Sequence, residues 1–587
     1  MGAAQQHRPR EAAAAGRDAA PERGPGSPAQ RASGTRWRTW LRRGVFVGLA
    51  LYAALTLFDY ATRIAPPILA PLPAEAVRQE GDTARIGPSY LTRRGALHVM
   101  QVAGKPIELG YQHARLATPL MAEGDRRMLA LFSTFVPSWT LRTLITAVVR
   151  VRYRAVDRAF PEARRAEIFG ETHGYADPFA GFLPTYHRLV YLHALYDIAL
   201  AFERSPLLGC TAFVAAGAAT RDGSTPSHTL VGRNFDLDLD PWFDEDKLVQ
   251  VVAARGRIPF VSVAWPGMTG IVSGMNAAGV WVSVNGGRAG TLDSHGAPVV
   301  FTTRAVLEEA RSLDEAIAII ARDAPMVSHI LLVADGRSGE SAVVERAPGQ
   351  PLAVVRDASV AVLANHFRTA PLRDDPKDAY VREHTSTLAR EARMRELVAR
   401  HYGHIDPALA VAILRDRAGV GDVPLPLGNH NALNALVATH SVVADLTDRV
   451  LWVSEGPHSL GSYRRIDLGA RLADAERAAA VEAAGDLPED PLLREGDYQR
   501  YLLGGRLRRA AAASRSAGKL DAATDLYRNA IGIRDDDHLA WWGLAEVLEQ
   551  ASDRAVERAA WERVLALAPE NPAAEREARR RAAATGS

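Results

Sequence analysis

Cysteine is almost missing from this chain: one thiol, Cys210, stands in 587 residues. A lone thiol cannot close an intramolecular disulfide, build a Cys-rich zinc site or hold an iron–sulfur cluster. With no resolving partner it makes no intramolecular redox switch, which leaves a structural residue or a nucleophile. Lysine is scarce as well. Only Lys105, Lys247, Lys377 and Lys519 occur among 70 basic residues, and alanine is abundant, so the arginine count reflects composition more than function. Excess charge of one sign is also lacking. Seventy basic against 68 acidic residues give +2, which removes the electrostatic case for a nucleic-acid binder. The remaining composition, 47% hydrophobic and 24% charged, is ordinary globular material. At this length about two to four structural units are expected.

Charge is uneven at the N-terminus. Residues 1–43 carry nine arginines against Glu11, Asp18 and Glu22, in an Ala/Arg/Pro/Gly-rich context that reads as a disordered cytoplasmic tail. Gly44 to Phe58 then runs for fifteen residues without charge, and the run reaches about Ile64 if Asp59 and Arg63 sit at an interface. Spanning a bilayer takes about 17–25 residues, and a signal-peptide core about 7–15. The run is therefore read as an uncleaved signal anchor over 44–64, with a cleaved signal and an interfacial or buried helix as the alternatives. No small-x-small cleavage site follows it. The arginine excess ahead of the run places the N-terminus in the cytoplasm and the rest of the chain beyond the membrane, periplasmic if bacterial.

From about residue 66 to 209 apolar residues recur at helical spacing, notably in ALHVMQVAGKPIELGYQHARLATPLM and PTYHRLVYLHALYDIALAF. After Cys210 the pattern changes. Short apolar runs such as TAFVAA, HTLVGRNFD, KLVQVVAA, GVWVSVN, HILLVAD, AVLANHF and RVLWVSEG, broken by Gly, Asn and Asp, predict strands of largely buried sheets over 210–471. A helical interruption lies between Thr303 and Arg322, where Ser312 and Glu315 form a capping box. The order of elements predicts an α+β sandwich, sheets stacked inside and helices outside. An Ala/Glu/Asp-rich stretch, 472–505, reads as a linker. In residues 506–587 a 34-residue offset aligns Tyr527 with Trp561 and Ala530 with Val564, which resembles tetratricopeptide repeats. Only about two helix pairs fit, fewer than a free-standing array needs, so the tail is expected to lean on the body or on another protomer.

Cys210 opens a strand behind a glycine, and an inert small hydrophobe is the bland reading of such a residue. Arg233 and Asp236 follow in GRNFD, three apart near a strand end; Asn285 closes GMNAAGVWVSVNGG and Asn365 closes AVLANHF. A guanidinium favours the thiolate. If the peptide bond before Cys210 were broken, the new α-amine, with an ordinary pKa of about 7.7–8.0, would suit a general base, and a carboxylate such as Asp236 could fix it. Asparagine amides could donate to a tetrahedral oxyanion. Separately, the charged pair could be a structural ion pair and the asparagines turn formers.

Taken in order, GCTAFVA, LVGRNFD, SGMNAAGVWVSVNGG, LLVADGRSGESAVVER, LANHF and THSVVADLTDRVLWVSEGP resemble the cysteine-type N-terminal nucleophile hydrolases. The nearest likeness is the self-processing acyltransferase and peptidase branch, the C45 peptidases. VAGKPIELGYQHARL upstream resembles the opening of that branch's propeptide. The resemblance implies a four-layer αββα sandwich and self-cleavage at Gly209–Cys210, which would leave 66–209 as the small subunit's folded part and start the large subunit at Cys210. It also implies roles: Cys210 as nucleophile with its freed amine as base, Arg233 and Asp236 as the charged pair beside it, and Asn285 and Asn365 as oxyanion-hole and amine-orienting residues. A late arginine carried by the bile-salt branch has no counterpart by order, since Thr439-His440-Ser441 stands in that region. The implied chemistry is cleavage of a linear N-acyl amide through a thioester, with water or an amine as acceptor and neither cofactor nor metal. The partners expected are a small N-acyl substrate, the membrane through the N-terminal helix, and a protein at the tail. The reading from another class is a membrane-anchored interaction protein with an inactive hydrolase-like domain.

Overall fold

The computed structural model describes residues 29–70, 72–200, 208–220, 227–237, 239–551 and 554–585. The chain divides into two units, Met1–Arg63 and Ile64–Ser587. In the first, helix α1 (Ala29–Thr62) takes in residues 29–43, the latter part of the expected tail. Alanine, arginine and leucine are good helix formers, so nothing stops the helix ahead of the apolar run. Residues 1–28 lie outside the described residues. The stretch Trp37–Thr62 is long and apolar enough to cross a membrane.

The second unit opens on strands where helical spacing was expected. β1 (Arg78–Glu80), β2 (Thr83–Ile86), β3 (Ser89–Arg94) and β4 (Leu97–Gly104) form an antiparallel meander. Gly81, Gly87 and Gly95 open its two-residue turns at φ of +60°, +54° and +60°, the left-handed geometry such turns demand. The run LHVMQV is a strand because period 2 suits both of its faces. Leu97 and Val99 enter one core while Met100 and Val102 enter another. Helices α2 (Pro106–Phe135), α3 (Trp139–Arg152), α4 (Glu162–Gly174) and α5 (Thr185–Leu200) follow.

Next come β5 (Leu208–Ala216), β6 (Thr229–Leu237), α6 (Trp242–Glu245), β7 (Leu248–Ala254), β8 (Phe260–Ala264), β9 (Ser273–Asn276) and β10 (Val280–Gly286). Helices α7 (Val299–Glu309) and α8 (Leu313–Ile320) are the expected interruption, and Ser312 caps α8 by accepting from the Glu315 N–H. Four strands, β11 (His329–Asp335), β12 (Ser341–Arg346), β13 (Ala353–Asp357) and β14 (Val360–Leu363), lead to α9 (Pro376–His384), α10 (Thr387–Arg400) and α11 (Pro407–Leu414). β15 (Ala438–Asp445), β16 (Val450–Ser454) and β17 (Tyr463–Asp467) complete the sheets.

Those sheets are an eleven-stranded one, ordered β1-β2-β3-β4-β7-β8-β9-β10-β11-β12-β13, and a six-stranded one, ordered β14-β5-β6-β15-β16-β17. They face each other across a core to which Val251, Trp281 and Leu332 contribute from the larger sheet and Val214, Val442 and Val453 from the smaller. Helices α2, α4, α5, α7 and α8 cover the outer face of the larger sheet, and α10 and α11 cover that of the smaller. Strands buried on both faces read as unbroken apolar runs, which is why TAFVAA and HILLVAD stood out in the sequence. The parallel pairing of β4 with β7, His98 opposite Leu248, stitches the β1–β4 meander into the same sheet as strands that follow Cys210.

The stretch 472–505 is packed rather than a free linker. It contains α12 (Leu468–Ala473, which begins four residues earlier) in its opening residues and α13 (Ala475–Ala483). Buried Glu482 accepts from Arg471; an Ala/Glu-rich composition suits a helix as well as a linker. The tail begins earlier than read, with α14 (Asp497–Ser516), then α15 (Leu520–Ile533), α16 (His538–Ala551), α17 (Arg554–Ala566) and α18 (Pro572–Ala584). Tyr527, Ala530, Trp561 and Val564 are all buried in the tail's own core. It also meets the body: Asn429 and Asn431 donate to Ala568 O and Pro569 O, and Arg534 donates to Leu427 O.

Candidate active site

Antiparallel pairing of β5 with β6 sets Gly209 opposite Asp236, Cys210 opposite Phe235 and Ala212 opposite Arg233. Side chains on one face recur every second residue, so Cys210, Arg233 and Phe235 share the face turned to the larger sheet. The Arg233 guanidinium lies 5.1 Å from the Phe235 ring centroid and donates to Val284 O. Asp236, on the alternate side of the strand beside Gly209, is close to α10.

The backbone around Cys210 is held from several directions. Its N–H donates to Asn365 Oδ1 at 2.7 Å, and its carbonyl accepts from Arg390 Nη1 at 2.8 Å. Nη2 of the same guanidinium donates to Asn365 Oδ1 at 3.0 Å, and Nε donates to Ser386 Oγ at 3.1 Å. Asn365 Nδ2 donates to Gly286 O at 3.0 Å and Asn285 Nδ2 to Ala364 O at 2.9 Å. The two asparagines thus brace the end of β10 against the segment after β14, tying the two sheets together at the thiol. Asn285 Oδ1 is buried with no hydrogen-bond partner among the described residues.

All five residues singled out in the sequence therefore converge on one buried point. Burial pushes the Cys210 thiol up from its ordinary range, and the facing Arg233 opposes the rise. Burial likewise pushes Asp236 up to about 7, against the pull of Arg390 and then of Arg233. Both guanidiniums are lowered by their own burial. The cluster is two desolvated cations around a carboxyl and a thiol that titrate near or above neutrality, a setting in which a proton can be passed between neighbours.

Two further residues at the site carried no sequence signal. Arg390 is one of several arginines in TLAREARMREL, and only folding aims it at the Cys210 peptide. Thr439-His440-Ser441, in β15, supplies no guanidinium. His440 stacks on Phe235 at 5.0 Å, and its Nε2 lies 2.9 Å from Ser273 Oγ. Tyr196 of α5 is the other. Burial and then the Cys210 charge raise its phenol, and its Oη has no hydrogen-bond partner among the described residues.

An apolar cavity of about 200 Å³ begins here, lined by Tyr196 and Phe235 at the thiol and by Met121, Met128, Leu189 and Trp265 beyond. Its 265–269 wall is held by two buried histidines: His113 Nε2 accepts from the Gly267 N–H and His193 Nε2 from the Thr269 N–H, both at 2.9 Å. Burial lowers these imidazoles to about 3 and about 4, so both are neutral acceptors. A second cavity, about 250 Å³, is lined by Ser328, Lys377 and Tyr380, and Arg288 borders both. His228, Asp445 and Asp448 offer ligand atoms within 4.8 Å of one another, but Asp445 is occupied by His228 Nδ1 and by the N–H groups of Thr447 and Asp448. That cluster sits at the Leu230 end of β6, about 20 Å along the strand from Asp236.

A mixed α/β fold of two large sheets thus presents a buried thiol between paired guanidiniums and amides, an arrangement suited to acyl transfer. Residues 223–456 match the family model described as acyl-coenzyme A:6-aminopenicillanic acid acyl-transferase. The likeness to the N-terminal nucleophile enzymes read from the sequence is shown over that segment, which contains Arg233, Asp236, Asn285, Asn365 and Arg390 and begins after Cys210. An uncharacterized protein of Archaeoglobus fulgidus is 26% identical over 262 residues, 41% of this chain and 42% of that relative; the chain spans less than half the length of the relative it matches. Among solved structures, the chain is similar to the Caenorhabditis elegans ortholog of N-acylethanolamine-hydrolyzing acid amidase (18% identity, 40% of this chain and 93% of that one, TM-score 0.30). It is also similar to the penicillin V acylase of Agrobacterium tumefaciens (17%, 44% and 86%, TM-score 0.30).

Proposed function

We propose that this chain is a self-processing cysteine amidohydrolase of the N-terminal nucleophile type, with its sheets and helices forming that class's four-layer αββα sandwich. The observation that carries the reading is the 2.7 Å hydrogen bond from the Cys210 backbone nitrogen to Asn365 Oδ1, with Arg390 gripping both groups. A peptide nitrogen needs no such cradle beyond its strand partners, whereas a free α-amine at that position needs an acceptor to orient it. In self-processing the Cys210 sulfur attacks the Gly209 carbonyl carbon and its proton passes to Asp236. The Gly209–Cys210 C–N bond breaks as the nitrogen takes up a proton, and water hydrolyses the resulting thioester.

Turnover then follows from the same groups. The freed α-amine, ordinarily near 7.7–8.0, takes the thiol proton. The thiolate, favoured by Arg233, attacks a substrate amide carbonyl. Each asparagine amide has a second N–H beyond the one it uses structurally, which is its contribution to the developing oxyanion in this reading. The amine leaves with a proton from the α-ammonium, and water completes the cycle. The apolar cavity at Tyr196 and Phe235 fits the acyl portion of a linear N-acyl amide. The second cavity, bordered by Arg288, is assigned to the departing amine. In this reading α1 anchors the chain with its N-terminus cytoplasmic, and the tail is a short tetratricopeptide-like array.

The test is denaturing electrophoresis with N-terminal sequencing. A chain starting at Cys210 is expected in the wild type and absent in Cys210→Ala. A single full-length chain in active wild-type preparations refutes self-processing.

A further inference from the structure

Helix α3 buries none of its residues. Leu141, Leu144, Val148 and Val151 recur at spacings of three and four, the pattern of one helical face, and are 45–58% exposed. Trp139, 71% exposed, and Phe135, 62% exposed at the end of α2, extend the apolar surface around the bend between the two helices. A soluble surface seldom leaves so many large apolar side chains together. Arg126 and Arg127 are paired with Glu123, but from 128 to 156 the only charged residues are four arginines. Arg142, Arg150 and Arg152 lie within α3 itself.

We infer that α3 and the α2–α3 bend form a lipid-docking surface, lying flat in the headgroup region of a bilayer that contains anionic lipid. An amphipathic helix with an uncovered apolar face and arginines but no acids is the chemistry such an interface recognises. A protein partner would call for acids or hydrogen-bonding groups among the apolar residues, and this stretch has no acids. Long arginine side chains at the helix end reach headgroup phosphates while their stems stay apolar. The surface leads to the site: Met128 lines the apolar cavity and lies seven residues before Phe135 on α2, about 10 Å along the axis. The docking stands independently of the amidase reading.

Because α1 can by itself hold the chain on a bilayer, vesicle binding is not the readout; local depth is. The full chain in a Cys210→Ala background carries one nitroxide label, at Leu144→Cys, Val148→Cys or Tyr402→Cys, the last an exposed position between α10 and α11. It is reconstituted in phosphatidylcholine liposomes with and without phosphatidylglycerol. Labels at 144 and 148 are expected to show a several-fold higher ratio of oxygen to aqueous nickel-chelate accessibility than the label at 402, with a larger contrast when phosphatidylglycerol is present. Accessibility at 144 and 148 equal to that at 402 in both liposomes overturns the inference. Spin–spin broadening at 144 also overturns it, in favour of a second copy covering the face.

Discussion

Replacing Arg390 by methionine removes a buried guanidinium while keeping side-chain length. Of the three lost bonds, the one to Ser386 Oγ holds the side chain, and the two at the site run to Cys210 O at 2.8 Å and Asn365 Oδ1 at 3.0 Å. Hydrogen bonds to charged groups contribute about 1.5–3 kcal/mol each, so the pair is worth about 3–6 kcal/mol. If half of that is felt in the barrier, processing and turnover fall about 10- to 100-fold. Arg390 is also the first charge opposing burial at Asp236, so without it that carboxyl rises above its present value of about 7. Asp236 accepts a proton only when ionised, so the self-cleavage rate climbs as pH rises through the Asp236 pKa, and this limb moves to higher pH in the variant. Arg390→Lys keeps the charge and loses the fork, so it should restore the limb more fully than the rate. The assay is intact-mass measurement of the cleaved fraction against time at several pH values, with hydrolysis of a fluorogenic N-acyl amide for turnover and urea unfolding to separate stability from positioning. A methionine variant that cleaves and turns over within about twofold of wild type, its pH limb unmoved, refutes the positioning role.

Three other outcomes are expected. His193 is held neutral by burial at about 4, below the usual 6.5, so the stability it contributes is present above 6.5 and lost as pH falls toward 4. At pH 5 the loss is about 2 kcal/mol, and His193→Gln should show a correspondingly shallower fall in urea midpoint between pH 7 and 5; equal slopes count against the neutral-acceptor role. Met128→Trp narrows the apolar cavity and should lower kcat/KM for long-chain N-acyl amides about tenfold while sparing short-chain ones; uniform loss would mean that the acyl chain lies elsewhere. Trp561, fully buried at the centre of the tail's own core, should cost about 3–5 kcal/mol of local stability when changed to alanine. Faster hydrogen exchange should then be confined to α14–α18, with cleavage at Gly209–Cys210 intact.

The seven apolar runs named after Cys210 are strands, because a segment covered on both faces must be apolar along its length. The Ser312 cap was equally legible, since capping is a property of four consecutive residues. The meander β1–β4 was not legible: LHVMQV suits two cores at once, and helical and strand periods cannot be told apart in so short a run. The extra helical turns of α1 and the packing of 472–505 were missed for a related reason. Alanine, glutamate and arginine serve helix, linker and tail alike, and only neighbours choose between them.

By itself the sequence determined the identity and order of Cys210, Arg233, Asp236, Asn285 and Asn365, and with them the chemistry they can support, because those are properties of residue type and of strand ends. Tertiary structure alone decided that the five meet. The pairing of β5 with β6 brings Arg233 to the thiol's face and Asp236 beside Gly209, and the two asparagines reach the Cys210 backbone region from β10 and from the end of β14. It alone recruited Arg390, 180 residues beyond the thiol, and Tyr196 from the preceding helix, and it alone left α3 uncovered. The physical reason is the same in each case: desolvation, opposing charge and exposure are set by what packs against a side chain, and those neighbours come from elsewhere in the chain.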